Sequence, residues 1–223
     1  MKRNKQIIYD INSVEIVSLR EADKRLSDII YHIGDLSYTL NIDAYAFMIE
    51  TIIGQMLSNK AANAISARLY KLCGGELSIS TISSIEQSSI KGIGLSNQKA
   101  SYIKELTSLL HKSPNYFDVM TELDNKEVIK RLTSIRGIGA WSAKMYLIFV
   151  LNRLDVLPFE DGAFIQAYKW LYNTDNVKHS AIIKRCEPWK SYSSLAARYL
   201  YIALDSGLTR NVDLKLNTNE NER

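Results

Sequence analysis

The sequence predicts an all-α protein. Apolar residues recur at helical spacing through most of the chain, strand-like alternation is scarce, and only 3 prolines and 10 glycines interrupt the 223 residues. A chain of this length can form one sizeable domain or two small lobes that share a core.

Helical segments are predicted where apolar residues line one face and where typical end residues flank them. They cover, in order, residues 21–33, 43–56, 58–73, a short stretch near 85, 96–110, 124–135, 140–151, 162–172, 180–185 and 193–206. Side chains that favour helix N-caps begin four of them, namely Asp43, Ser58, Ser96 and Asp124. Residues 1–20 show no strong period and remain unassigned, and the polar tail from Thr209 to Arg223 is predicted to be frayed.

Charge and composition narrow the classes of function. The net charge of +4 favours an anionic partner without naming one. Cys73 and Cys186 stand outside any metal-ligand spacing, so we expect buried free thiols, no metal site and no cofactor. No stretch reaches the ~20 apolar residues that span a bilayer, and no signal-like apolar core follows the basic N-terminus. We therefore expect a cytoplasmic protein, nucleoid-associated in a bacterium, that does not enter a membrane.

The most informative segment is Leu132–Met145, which reads LTSIRGIGAWSAKM. Here one predicted helix ends, Gly137 and Gly139 make a tight turn, and the next helix begins at Ala140. Backbone N–H groups beside a helix N-terminus can hold a phosphate when no side chain stands in the way. The alternative is a plain helix–helix turn whose glycines adopt positive φ. A second, similar turn at residues 92–94 favours the phosphate-binding interpretation.

Together with Asp155–Gly162 (DVLPFEDG), this hairpin resembles the helix-hairpin-helix plus Gly/Pro/Asp signature of the DNA base-excision glycosylase superfamily. Asp161 follows Trp141 at the family's spacing of 20 positions. Ile52–Ser58 (IIGQMLS) and Glu187–Tyr192 (EPWKSY) are similar to segments of the AlkA-like branch, the 3-methyladenine DNA glycosylases.

The resemblance covers roughly residues 40–207 and implies a two-lobed helical fold with a helix-hairpin-helix motif. Double-stranded DNA would lie across a cleft, with the damaged nucleotide flipped into a pocket. Residues 1–40 would pack on or extend the helical lobe, 41–207 would form the glycosylase domain, and 208–223 would be a polar tail. Larger members of the branch carry an N-terminal sheet domain, for which the first 40 residues are too few.

The implied function is base-excision repair by a monomer that hydrolyses the N-glycosidic bond of alkylated purines such as 3-methyladenine or 7-methylguanine. The product would be an abasic site in double-stranded DNA. Arg198 and Tyr201 stand where the family often has tryptophans, which puts the breadth of lesion recognition in doubt. Two alternatives stay open: a glycosylase for oxidised or deaminated bases, and a non-catalytic helix-hairpin-helix DNA-binding module.

Asp161 is the expected catalytic residue. Breaking the N-glycosidic bond builds positive charge on the sugar, and a fixed carboxylate in a water-poor pocket stabilises that charge. The alternative is that Asp161 only caps the helix that begins at Gly162.

Trp141 occupies the position at which bifunctional relatives carry a lysine that forms a Schiff base. The resemblance therefore implies direct hydrolysis without a lyase step. Trp141 is also expected to stack on an electron-poor alkylated base, with Tyr146 as the next aromatic residue of the base pocket. Core packing is the alternative for Trp141.

The remaining expected site residues would contact DNA. Met56 would insert into the gap left by the flipped base, unless it only completes an apolar helix face. The full set of expected DNA contacts is Gln55, Met56, Ser58, Gly137, Ile138, Gly139, Ala140 and Lys144.

Overall fold

The computed structural model describes residues 5–210. Of the predicted polar tail, residues 208–210 form a short 3-10 helix, and the rest lies outside the described part of the chain. Residues 5–210 form twelve α-helices and one two-stranded sheet. The predicted helical fold class is confirmed, and the small sheet is the exception to it.

The helices follow one another along the chain with short connections. They are α1 (Val14–Ala22), α2 (Lys24–Ile33), α3 (Ala44–Gly54), α4 (Asn59–Leu72), α5 (Ile79–Ser84), α6 (Gln87–Gly92), α7 (Asn97–Lys112), α8 (Asn125–Thr133), α9 (Ala140–Phe149), α10 (Gly162–Tyr172), α11 (His179–Arg185) and α12 (Ser193–Asp205). Further 3-10 helices are Asp118–Glu122 and Glu187–Trp189.

The predicted N-caps are confirmed at four helices, where a side-chain oxygen accepts a backbone N–H of the first turn. The acceptors and distances are Asp43 at 3.0 Å, Ser58 at 3.3 Å, Ser96 at 3.2 Å and Asp124 at 2.8 Å. The helix predicted from Glu21 begins instead at Lys24, because Asp23 ends α1 and caps α2 through the N–H of Leu26.

Residues 5–9 form strand β1 (Lys5–Tyr9), which pairs antiparallel with β2 (Leu36–Leu40). Ile7 lies opposite Tyr38 in this register. A five-residue strand has too short an alternation to be separated from a loop by its own pattern. Its partner stands about thirty residues further along the chain, so local sequence does not identify the pair.

By its contacts the chain divides into two compact units. The first joins Met1–Leu40 to Asn152–Arg223. In its described part, α2 and α10 pack against α12, and the apolar core between them includes the fully buried Trp189. The indole N–H of Trp189 donates to Asp23 at 3.0 Å, so the tryptophan of the EPWKSY segment is a core residue.

The second unit is Asn41–Leu151. Helix α3 contacts α4, α7 and α9, while α5 and α6 pack on α7 and α8 packs on α9. Cys73 belongs to this unit and Cys186 to the first, and both are buried free thiols, as predicted. Among residues 5–210, no helix combines the length and the apolar character that crossing a membrane requires.

Candidate active-site and DNA-binding residues

The hairpin between α8 and α9 has the tight turn that the sequence predicts. Gly137 has φ +86°, in the left-handed region that favours glycine. Gly139 has φ −98° and ψ 179°, an extended conformation open to any residue, and it is the N-cap of α9. Of the two hairpin glycines, therefore, only Gly137 has a backbone conformation that requires glycine.

The exposed end of α9 carries the features of an anion site. Gly139 and Ala140 are exposed. Among the described residues, Gly139 is the N-cap residue, and because it has no side chain it leaves the first-turn N–H groups of α9 without a side-chain cap. Asp161, by contrast, caps α10 with its side chain. The first-turn N–H groups of α9 are thus positioned for an external acceptor.

Two other residues expected at the hairpin surface lie inside the protein. The side chain of Ile138 is 4% exposed, and its N–H donates to the carbonyl of Ile135 at 3.1 Å. Lys144 is 9% exposed. Both side chains are therefore mostly buried, and their expected contacts with DNA stay predictions.

Met56 lies in a tight turn after α3. The N–H of Leu57 donates to the carbonyl of Gly54 at 3.1 Å, Gln55 has φ −50° and ψ 126°, and Met56 has φ 57°. These angles define a type II turn, whose third position normally holds glycine or asparagine. The side chain of Met56 is 100% exposed. The alternative that Met56 completes a helix face is wrong, because α3 ends at Gly54.

Gln55 connects this turn to the hairpin. Its Nε2 donates to the carbonyl of Gly137 at 2.8 Å and to the hydroxyl of Ser142 at 3.3 Å. The side chain of Gln55 is therefore engaged within the protein, where sequence reasoning expected a DNA contact. Ser58 is exposed, and its hydroxyl caps α4.

Asp161 is half-buried at the N-terminus of α10. Its Oδ1 accepts the N–H of Phe164 at 2.8 Å, and its own N–H donates to the carbonyl of Pro158 at 2.9 Å. The capping role is thus real. It does not compete with a catalytic role, since a carboxylate has more acceptor positions than one N–H occupies.

Tyr201 of α12 lies close to this carboxylate in the first unit, and Arg198 of the same helix lies close to Tyr201. Burial raises the pKa of Tyr201 well above its usual value, the nearby Asp161 carboxylate raises it further, and Arg198 opposes the rise. Arg198 is itself buried, and its guanidinium carbon lies 3.6 Å from the centroid of the Tyr38 ring. From sequence, these two α12 residues stand out only as departures from the family pattern, and spacing alone does not connect Tyr201 with Asp161.

The two aromatic residues predicted for a base pocket differ in exposure. Trp141 lies in the first turn of α9 and is partly exposed. Tyr146 is 1% exposed, and its ring stacks on Phe117 with the centroids 5.4 Å apart. Burial raises the pKa of Tyr146 above its usual value. Of these two aromatic residues, Trp141 is the one that is partly exposed.

The part of the chain from residue 5 to residue 210 contains no cluster of three or more His, Cys, Asp or Glu residues that could hold a metal ion.

Known proteins are similar to this chain over most of its length. The DNA-3-methyladenine glycosylase 1 of Schizosaccharomyces pombe is 27% identical over 208 residues, which is 90% of this chain and 91% of the relative. A crystal structure of a DNA-3-methyladenine glycosidase from Bacillus halodurans superposes with a TM-score of 0.78 at 28% identity, covering 91% of this chain and 94% of that one.

A structure of the Schizosaccharomyces pombe 3-methyladenine DNA glycosylase in complex with abasic DNA superposes with a TM-score of 0.77 at 25% identity. It covers 91% of this chain and 100% of the other. The profile of the family described as HhH-GPD superfamily base excision DNA repair protein matches residues 49–191, a range that contains the hairpin and Asp161. The chain belongs to the HhH-GPD superfamily of base excision DNA repair proteins.

Proposed function

We propose that this protein is a monofunctional DNA glycosylase that removes alkylated purines, such as 3-methyladenine and 7-methylguanine, from double-stranded DNA. The similar proteins named above are 3-methyladenine glycosylases, and one of them is bound to abasic DNA. The single observation that carries the proposal is the half-buried carboxylate of Asp161, fixed by its bond to the N–H of Phe164.

Asp161 acts on the sugar. As the C1′–N bond breaks, positive charge grows at C1′, and a carboxylate held in place lowers the energy of that state without having to reorganise. Because a purine nucleoside alkylated at N3 or N7 is cationic, the base departs as a neutral molecule. Water then adds its hydroxyl to C1′, and its proton passes to solvent. The bond to Phe164 restrains the carboxylate, and the partly buried Tyr201 lies beside it.

The residue at position 141 separates hydrolysis from a lyase reaction. A Schiff base at the sugar requires an amine, and Trp141 has none to offer. Its partly exposed indole ring instead provides a π surface for an electron-poor base. Borohydride treatment of the reacting complex should therefore trap no covalent DNA adduct, whereas a trapped adduct would contradict the monofunctional assignment.

Two groups of residues contact the duplex. The first-turn N–H groups of α9, near Gly139 and Ala140, hold a backbone phosphate. The exposed Met56 fills the space left by the flipped nucleotide. One copy of the chain supplies all these residues, so we expect the protein to act as a monomer. Sedimentation of the protein–DNA complex measures how many copies bind one duplex.

The test uses single-turnover release of methylated bases from alkylated duplex DNA. Asparagine is as good an N-cap as aspartate, so Asp161→Asn keeps the bond to Phe164 while it removes the charge. We expect its rate to fall by roughly 100-fold or more, with duplex binding and thermal stability close to those of the wild type.

Asp161→Ala is the comparison, because it removes both the cap and the charge. It should lose the same activity and also about 1 kcal/mol of stability. A wild-type rate in Asp161→Asn would overturn the catalytic role. Binding of abasic duplex without release of any base would identify a binding module instead, and release of only oxidised or deaminated bases would correct the substrate class.

A further inference from the structure

The turn that carries Met56 is held by a lysine from another helix. Lys99 lies in the first turn of α7, and its Nζ donates to the carbonyl of Ile53 at 2.8 Å and to that of Gln55 at 2.6 Å. Partial burial lowers the pKa of Lys99 below its usual value. The ammonium group has exchanged part of its water shell for these two carbonyl oxygens.

The carbonyl of Gln55 belongs to the peptide that decides the turn type. Type I and type II turns differ mainly in the orientation of their central peptide, which here joins Gln55 to Met56. In the observed type II form, this carbonyl points to Lys99 and Met56 has φ 57°. Rotation to type I would turn the carbonyl away from Lys99 and return Met56 to negative φ.

Methionine has an intrinsic preference for the alternative form. A side chain with a Cβ is strained at positive φ, and the third position of a type I turn imposes no such strain. Met56 is fully exposed, so its packing against the protein does not offset the strain. The charge-assisted bond of Lys99 to Gln55 is a contact that does favour the type II form.

We propose that Lys99 is a positioning residue, which fixes the Gln55–Met56 peptide so that the methionine side chain projects outward for insertion into DNA. The inference rests on the proposed role of Met56. Gln55 completes the arrangement, because its side chain attaches the same turn to the hairpin through the carbonyl of Gly137.

Helix α7 also offers a matched control. Lys104 donates through Nζ to three carbonyls at the end of α5, those of Ile82, Ser83 and Ile85, at 2.9–3.0 Å. Lys104 lies on the same helix as Lys99 and makes the same kind of hydrogen bonds to backbone carbonyls, but these bonds hold a different segment. Lys104→Met therefore measures how much stability the protein loses when a lysine of this kind is removed and the Met56 turn is left unchanged.

The experiment measures insertion and excision separately. 2-Aminopurine is placed beside a stable abasic-site analogue in a duplex, where insertion of a side chain unstacks it and raises its fluorescence. Single-turnover base release and the dissociation constant for undamaged duplex are measured in parallel. The variants are Lys99→Met, Lys99→Gln, Lys99→Arg, Lys104→Met, Met56→Ala and the double variant Lys99→Met/Met56→Ala.

Lys99→Met should lose most of the fluorescence rise and slow excision by about tenfold or more, the expected size for loss of a charged hydrogen bond. Binding of undamaged duplex should stay unchanged. Lys99→Arg should recover most of the signal, because a guanidinium can donate to both carbonyls, and Lys99→Gln should be intermediate. In the Met56→Ala background, Lys99→Met should add little, since both changes remove the same step.

The outcomes separate this inference from the proposed function. If Met56→Ala keeps the wild-type fluorescence rise, the insertion role itself is wrong. If Met56→Ala loses the rise while Lys99→Met retains it, the positioning role of Lys99 is overturned. An equal loss in Lys104→Met would likewise overturn it, because the effect would then be one of general stability. Should Lys99→Met fail to fold, the comparison of Lys99→Gln with Lys99→Arg decides the question in the same way.

Discussion

The ring of Tyr102 lies against the backbone of Gly137, and it occupies the space that a side chain at that position would need. A Cβ atom added to Gly137 would lie 2.2 Å from Cδ2 and 2.3 Å from Cγ of the ring. The ring is restrained in turn, because Gln98 donates to its hydroxyl at 2.5 Å and Arg136 lies 5.6 Å from its centroid. Gly137 is therefore required both by its φ of +86° and by this contact.

The two hairpin glycines should respond differently to alanine. Gly137→Ala combines a strained φ with a clash against Tyr102, so we expect a loss of stability of more than about 1–2 kcal/mol. Gly139→Ala should change stability by less than about 1 kcal/mol. Gly139 is extended and, among the described residues, a Cβ there has no heavy atom within 4 Å beyond its chain neighbours, while the lower N-cap preference of alanine offsets its lower entropy in the unfolded chain. Urea unfolding measures both, and equal losses would contradict the roles assigned to the two glycines.

Gly139→Glu tests the proposed phosphate site with little effect on the fold. The open space around Gly139 accommodates the longer side chain, whose negative charge would repel a phosphate at the N-terminus of α9. We expect weaker binding to every duplex alike, a shallower dependence of affinity on salt, and an unchanged unfolding midpoint. Binding isotherms across a salt series provide the measurement, with Gly139→Ala as the uncharged control. Loss of binding to one lesion only would indicate a role in base recognition instead.

Met56 holds a strained backbone conformation that glycine would relieve. Met56→Gly should be more stable than Met56→Ala by about 1 kcal/mol, because alanine retains the strain at φ 57° and glycine does not. Asn173 has φ 47°, and asparagine tolerates this region, so Asn173→Gly should change stability less. Chemical denaturation of the wild type, Met56→Gly, Met56→Ala and Asn173→Gly compares their free energies of unfolding. Equal stability of the two Met56 variants would mean that the turn relaxes when methionine is removed.

Glu50 predicts a pH-dependent effect on stability. Burial on α3 raises the pKa of its carboxyl group above the usual 4.5, although the hydroxyl of Tyr70 donates to it at 3.0 Å and opposes the rise. A raised pKa in the folded state gives stability at low pH that is lost as pH rises from about 4.5 through the folded pKa. Glu50→Gln removes this titration while it keeps an acceptor for Tyr70.

We therefore expect Glu50→Gln to gain free energy of unfolding relative to the wild type as pH increases from 4 to 7. Urea unfolding at both pH values gives the difference. A constant difference across this range would show that the burial of Glu50 does not penalise its ionised form.

Local signals placed most of the helices correctly. A helix N-cap depends on one side chain and the N–H groups two or three residues later, so Asp43, Ser58, Ser96 and Asp124 could be assigned from sequence alone. The helix Gly162–Tyr172 was predicted with the bounds that the structure has. The family resemblance, which depends on the spacing between Trp141 and Asp161, led to the superfamily that the comparisons confirm.

Other features depend on partners far away in the chain, and only the tertiary structure decided them. No local sequence pattern indicates three of these contacts: the pairing of β1 with β2, the packing of Tyr146 on Phe117, and the closeness of Asp161 to Tyr201. The sequence by itself therefore determined the helical fold class, the hairpin and the expected catalytic aspartate. The tertiary structure decided which side chains remain accessible and how the Met56 turn is held, because both depend on the packing of segments that are distant in the chain.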